Sequence, residues 1–384
     1  MDAPWAAWWA APGPVAFLDE TLDALRRGRS VVLGLPLGAP PGLAQALEAE
    51  VSRDSLWCWT AIAPTGPATP MSTVVQALWG STAAPETLLG LVQAARLRNR
   101  VLWIGPLTTE PWPPWRDWLL AFARAAATLP AADRPVLCTE TRGLPRTDWP
   151  RVDPSLAVLQ WRGRLDGLDM QLWAATLLRG IELPPFTGRL RRELIATLAG
   201  ADPLLAVHLR DETIPGLCRP QSTLIGFAAA RGWHEAPPHT WEAGVLEQLT
   251  GEQTLHLAAL ALDPAASASA IAEHLWRAEV RVLFPLIETL RRRLIERHRA
   301  QLRVPVQVEG RAPIIHIEDL ELGHLHWQLR GRLGAQRAEL LAALHRARNA
   351  LAHLEPLSAE DLLGLLRLLD KTDLWQPAGG DAHR

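Results

Sequence analysis

The stretch RARNALAHLEP (346–356) holds three side chains, Arg348, Asn349 and His353, whose types suit work on a phosphate group. A guanidinium stays charged at every physiological pH and offers two parallel N–H donors to phosphate oxygens. An imidazole titrates near neutrality and can take or deliver a proton. A side-chain amide can orient either partner. At about 100° per residue, Leu340, Leu344, Ala347, Leu351 and Leu354 fall in one apolar stripe. Arg348 flanks that stripe, while Asn349 and His353, one turn apart, share the opposite face. The same pattern also fits a helix that packs its leucines and leaves its polar residues in water.

The order Arg-Asn-x-x-x-His near the end of the last long helix of a helical C-terminal unit resembles the HEPN superfamily, whose motif is an Arg, a polar residue, a spacer and a closing His. The resemblance spans roughly residues 266–370 and is most specific from Arg348 to His353. Asn occurs in this chain only at 99 and 349, which sets Asn349 apart from filler. The resemblance implies metal-independent cleavage of RNA. In that chemistry a 2′-hydroxyl attacks the neighbouring phosphate, with His353 moving the proton, Arg348 stabilising the added charge and Asn349 orienting the groups. One Arg–His pair supplies a single acid–base group, and HEPN proteins pair two such helices, so a homodimer through the C-terminal domain is expected. A nonenzymatic HEPN module, serving as scaffold or RNA-binding subunit of a defence complex, is the other reading.

The elements that must position these residues follow from periodicity. SVVLGLPLG (30–38), LWCWTAI (56–62), RVLWIGPL (100–107), PVLCTET (135–141) and LAVLQWRG (156–163) are short apolar runs bounded by Gly, Pro or Thr and separated by helical patterns. That alternation predicts an α/β N-terminal domain with a mainly parallel sheet and a helical appendage, followed by an all-α helical bundle. The expected domains are 1–215, a helix-rich connector at 216–265, and 266–384. Within the last of these, 269–302 reads as a helix with Leu275, Val282, Leu283, Leu286, Leu290 and Leu294 on its apolar face, which Pro285 should kink unless tertiary packing accommodates it. Ser358 with Asp361 opens a final short helix.

VVLGLPLGAPPGL stands where a nucleotide-binding loop would, after the first strand and before a helix. Gly34, Gly38 and Gly42 are present, but Ala39 and Pro40 stand where a Lys and a Ser or Thr should follow. VLWIGPL ends without an acidic metal ligand, and Glu110 lies beyond it. Over roughly 20–210 the pattern resembles the AAA+/STAND class of P-loop NTPases with both diagnostic motifs degenerate. ATPase activity and a nucleotide cofactor are therefore not expected. A sensing module fused to a HEPN effector resembles bacterial defence proteins, which implies an antiphage setting and protein partners from such a system.

Composition narrows the partners further. With 39 basic and 41 acidic residues the chain has no general basic field, so RNA contact must come from local groups such as Arg291, Arg292 and Arg293. His316, His324 and His326 lack a completing carboxylate motif, so no metal site is expected. Cys58, Cys138 and Cys218 are widely spaced and fit a reducing cytoplasm. The apolar opening stretch lacks a basic leader and is broken by Pro12 and Pro14, and no run is long enough to span a bilayer. Among the 18 tryptophans, Trp112, Trp115 and Trp118 are expected to mark a protein-contact edge.

Overall fold

A computed structural model describes residues 3–371 apart from 65–68, 81–83, 235–237, 308–309 and 311. The last part of the expected C-terminal domain, 372–384, lies outside the described residues. The chain begins with α1 (Ala3–Trp8), α2 (Pro12–Arg26), β1 (Ser30–Leu35), α3 (Leu43–Val51), β2 (Cys58–Ile62), α4 (Pro70–Trp79) and α5 (Leu88–Gln93). β3 (Arg100–Leu107), α6 (Trp112–Ala127), β4 (Val136–Arg142), β5 (Leu156–Gln160) and α7 (Gly167–Leu177) follow. Then come α8 (Pro185–Ala199), α9 (Pro203–Leu209), α10 (Ile214–Leu217), α11 (Gln221–Ala230), β6 (Leu246–Leu249), β7 (Glu252–Leu255) and α12 (Leu257–Leu260). The remainder is α13 (Pro264–His298), α14 (Leu322–Leu329), α15 (Ala335–Ala352) and α16 (Ala359–Asp370). No described helix is long and apolar enough to cross a membrane.

Contacts divide the chain into two compact units that interleave in sequence. One holds 1–176, 200–205 and 228–259; the other holds 177–199, 206–227 and the chain from 260 on. The stretch 216–265, read as a connector, is therefore shared between them.

In the first unit all five predicted strands form one parallel sheet in the order β2-β3-β4-β1-β5. β1 is buried along its whole length and β4 along all but its last residue, as a parallel sheet covered on both faces requires. Val32, Ile62, Leu102, Ile104 and Leu137 meet Val74 of α4, Leu91 of α5 and Leu119 and Phe122 of α6 in one core cluster. Each such side chain contributes roughly 1.5–3 kcal/mol when fully buried. Trp112 and Trp115 belong to this cluster and are almost wholly buried, so the expected contact edge is corrected to core. Trp112 Nε1 donates to the Asp148 carbonyl at 2.8 Å, which satisfies its one polar atom.

The unit also contains a hairpin within the stretch 216–265 that the sequence pattern suggested was a helix-rich connector. β6 and β7 pair antiparallel through Thr250 and Gly251, with φ of 51° and 88°. Two consecutive left-handed residues make the tight turn that matches strand twist. The strands are short and mostly polar, so they carry little alternation for a sequence reading to detect.

In the second unit α13 is the central element. All six leucine and valine positions of its predicted apolar face are buried. α8, α14 and α15 pack against it. α13 runs through Pro285 as one continuous helix, as the reading of 269–302 expected. Burial of Val282, Leu283, Leu286 and Ile287 on both sides of the proline outweighs the loss of one backbone hydrogen bond. Asp263 caps its start, accepting from the N–H groups of Ala265 and Ala266. Ser358 caps α16 by accepting the Asp361 N–H at 3.1 Å, as its spacing predicted.

Candidate functional site

α15 carries the Arg348–His353 stretch, and its packing sets which groups remain available. Leu340, Leu344, Ala347 and Leu351 are buried, and Trp276 of α13 donates its Nε1–H to the Leu351 carbonyl at 2.8 Å. Leu354 does not continue the stripe. The helix ends at Ala352, His353 is its C-cap, and Leu354 is 67% exposed with φ of 63°. The Leu354 N–H bonds the Leu351 carbonyl at 3.3 Å and the Glu355 N–H bonds the Ala350 carbonyl at 3.0 Å. This is the Schellman ending, with leucine where glycine is usual, and the left-handed conformation costs a β-carbon-bearing residue about 1–2 kcal/mol. The strained residue directly follows His353.

The structure joins Arg348 and Asn349 and adds a histidine that the sequence reading missed. Asn349 Nδ2 donates to His345 Nε2 at 3.1 Å, and Arg348 Nη1 donates to Asn349 Oδ1 at 3.5 Å. Arg348 Nη2 also lies 3.3 Å from Glu321 Oε2, which places α14 against the motif. The His345 ring stacks on His326 with centroids 6.5 Å apart. Partial burial, with help from His326 and Arg348, lowers the pKa of His345, which suits a neutral ring accepting the Asn349 N–H. His345, Asn349 and His353 stand at i, i+4 and i+8, a spacing of about 12 Å from first to last. That periodicity was the available signal for His345. His353 is exposed at the helix end.

The remaining sequence candidates fall into varied settings. Arg291 donates to Glu288 Oε2 at 3.0 Å and to the carbonyls of Glu318 and Leu320 at 2.7 and 3.0 Å, so its guanidinium is held within the unit. Arg292 is exposed and Arg293 is half-buried. His324 Nδ1 accepts the Glu321 N–H at 3.1 Å and closes the start of α14. Among the described residues no group of His, Cys, Asp and Glu is arranged to hold a metal ion.

A buried carboxyl controls the segment after the motif. Glu279 of α13 is fully buried, and its Oε2 accepts the Leu357 N–H at 2.8 Å while Oε1 has no hydrogen-bond partner. Burial pushes its pKa up to about 8, with the Leu357 N–H pulling the other way. The folded protein thus keeps a proton that the unfolded chain releases near pH 4.5. Stability on this account falls as pH rises from about 4.5 to about 8 and is level beyond. Glu279→Gln retains an acceptor for Leu357 and removes the titration, so its melting temperature should lose this component of the pH slope. Thermal melts of both proteins from pH 5 to pH 9 check this; equal slopes would clear Glu279 as the cause.

The first unit holds a second polar constellation, at the carboxyl ends of β1 and β5. In an open α/β sheet this crevice is the usual ligand position. Gly34 lies inside β1, where a β-carbon would come within 2.5 Å of the Trp149 ring, so its role is close packing. Gly42, with φ of 93°, begins α3. Gly38 alone of the three lines the crevice, and a β-carbon there would fall 1.0 Å from Arg231 Nη1. Arg231 therefore lies directly against the loop. Its Nη2 is 2.6 Å from Asp202 Oδ2, and His256 Nε2 is 3.3 Å from the same oxygen. His256 Nδ1 accepts the Ala258 N–H at 3.1 Å, which puts the ring proton on Nε2, facing Asp202.

Burial alone raises the Asp202 pKa, but His256, Arg231 and the Leu204 N–H more than offset it and hold the carboxyl below its ordinary value. Burial dominates at Glu247 and raises its pKa, although it accepts the Ala201 N–H at 2.8 Å. The cavity left among these groups is about 50 Å³. That admits a water or two, against roughly 300–1,000 Å³ for a small-molecule site. No protein-family model matches the chain, and no curated protein matches it.

Proposed function

We propose that the second unit is a metal-independent endoribonuclease of HEPN type, restrained by a first unit whose phosphate loop lacks its nucleotide-binding chemistry. The observation that carries this reading is the hydrogen-bonded set Arg348–Asn349–His345 at the end of α15, one turn before His353. The Arg348–Glu321 contact is partly exposed, and such pairs are worth about 0–1 kcal/mol, so an incoming phosphate can displace the carboxylate. A two-donor, charge-assisted guanidinium contact then stabilises the phosphorane-like transition state. In the reaction the 2′-oxygen forms a bond to phosphorus, the bond to the 5′-oxygen breaks, His353 takes the 2′-hydroxyl proton, and an acid returns one to the departing 5′-oxygen. A second α15 across a dimer axis supplies that acid.

The tight Arg231–Asp202–His256 packing against Gly38 supports a first unit that senses something other than a nucleotide. By analogy of architecture the setting is antiphage defence, with partner proteins supplying the trigger.

The chemistry has a direct test. Activated protein incubated with RNA in excess EDTA should yield fragments ending in a 2′,3′-cyclic phosphate and a 5′-hydroxyl. Loss of all cutting in EDTA would remove metal independence. Intact cellular RNA after induction and phage challenge would sink the nuclease reading and leave the scaffold reading in its place.

A further inference from the structure

On the same unit, α14, whose N-cap Glu321 meets Arg348, presents a large aromatic ring to solvent. Trp327 is 72% exposed, while Leu322, Leu325 and Leu329 of the same helix are buried. The indole forms part of a groove of about 640 Å³ whose other walls include Gln301, Arg303, Pro305, Gln328 and Arg332. None of the described residues that line it is a carboxylate. An exposed indole with two guanidiniums and several amides is the chemistry that holds a single nucleic-acid strand: a π-face for the base, cations for the phosphates and amides for base edges.

The groove is also held in shape. Gln328 clamps the backbone of Arg303, its Oε1 accepting the Arg303 N–H at 2.7 Å and its Nε2 donating to the Arg303 carbonyl at 3.0 Å. Arg332 Nη1 donates to the Gln301 carbonyl at 3.1 Å. These bonds tie the segment after α13 to the end of α14, so the Arg303 backbone and the Arg332 guanidinium are placed before any ligand arrives. Trp327 directly follows His326, whose ring stacks on His345 in the candidate site. The groove and the candidate site thus share α14.

We propose that this groove binds a single-stranded RNA segment, with one base stacked on Trp327 and the flanking phosphates on Arg303 and Arg332. This rests on the reading that the unit acts on RNA, and it assigns where that RNA is held. A duplex keeps its bases stacked internally and offers no free face to Trp327.

The test uses the full-length protein and a fluorescent 2′-O-methyl oligouridine, which has no free 2′-hydroxyl for self-cleavage, so binding is read apart from catalysis. Trp327→Ala should weaken binding about tenfold or more, and Trp327→Phe should recover most of it. Arg303→Ala and Arg332→Ala should each lower the slope of log affinity against log salt by about 0.7. Trp327 is exposed, so far-ultraviolet circular dichroism of the alanine variant should match the wild type. Wild-type affinity in Trp327→Ala, or no binding by the wild type, overturns the proposal. So does a variant that keeps RNA affinity but loses a protein partner. A protein that binds through Trp327 yet never cuts RNA would sink the nuclease reading and leave the groove standing. Cutting by a protein whose binding ignores Trp327 does the reverse.

Discussion

Arg348→Ala and His353→Ala should each lower RNA cleavage by about 10²–10⁴-fold with little change in stability. General acid–base catalysis supplies a factor of that size, and removing a charge-stabilising donor costs about 10²–10³. His353 is exposed, and Arg348 makes a partly exposed ion pair and one long hydrogen bond to Asn349, so melting temperatures should stay close to the wild type. Arg348→Lys should recover little, because an ammonium cannot give the two parallel donors of a guanidinium. His345→Ala separates direct chemistry from positioning. It frees Asn349 Nδ2 from its ring partner, so a positioning role would reduce the rate and leave the pH profile of cleavage in place. Cleavage by both Arg348→Ala and His353→Ala at the wild-type rate would remove this site from the chemistry.

Asp202→Ala should destabilise the first unit by about 3–5 kcal/mol, the cost of removing one member of a buried ion pair. Arg231 and Asp202 are 15% and 11% exposed at their side chains, so bulk water replaces the lost contact poorly. The Asp202 carboxyl is held below its ordinary pKa, so its contribution is present above the unfolded value near pH 4 and fades as pH falls through the folded one. The double variant Asp202→Leu/Arg231→Met, which removes both charges, should regain much of the loss. Gly38→Ala acts on the same contact from the other side, since its β-carbon would collide with the Arg231 guanidinium. Urea unfolding followed by the fluorescence of the first unit's tryptophans measures all three. A change below 1 kcal/mol in Asp202→Ala would show that the cluster is not a stabilising device.

Both predictions depend on groups whose visibility in the sequence differs. Arg348, Asn349 and His353 sit within six consecutive positions, and helical spacing relates them directly. His345 belongs to the same row but falls outside the motif, and its significance came only from the Asn349 bond and the His326 ring against it. Asp202, Arg231 and His256 come from three separated segments, so no local pattern announces them. Gly34 and Gly38 look alike on paper, yet one packs under Trp149 and the other lies under Arg231.

What the sequence determined by itself was whatever depends on near neighbours: five β-branched runs became five parallel strands, the leucine rows of α13 and α15 became buried faces, and Ser358 became a cap. These follow from side-chain period and local hydrogen bonding, which act within a few residues. The tertiary structure alone decided that Trp112 and Trp115 are core and that Leu354 turns left-handed out of the stripe. It alone set Arg231 over Gly38 and left Trp327 bare beside two arginines. In each case packing between segments far apart in the chain outweighed the local preference, and such contacts exist only once the chain has folded.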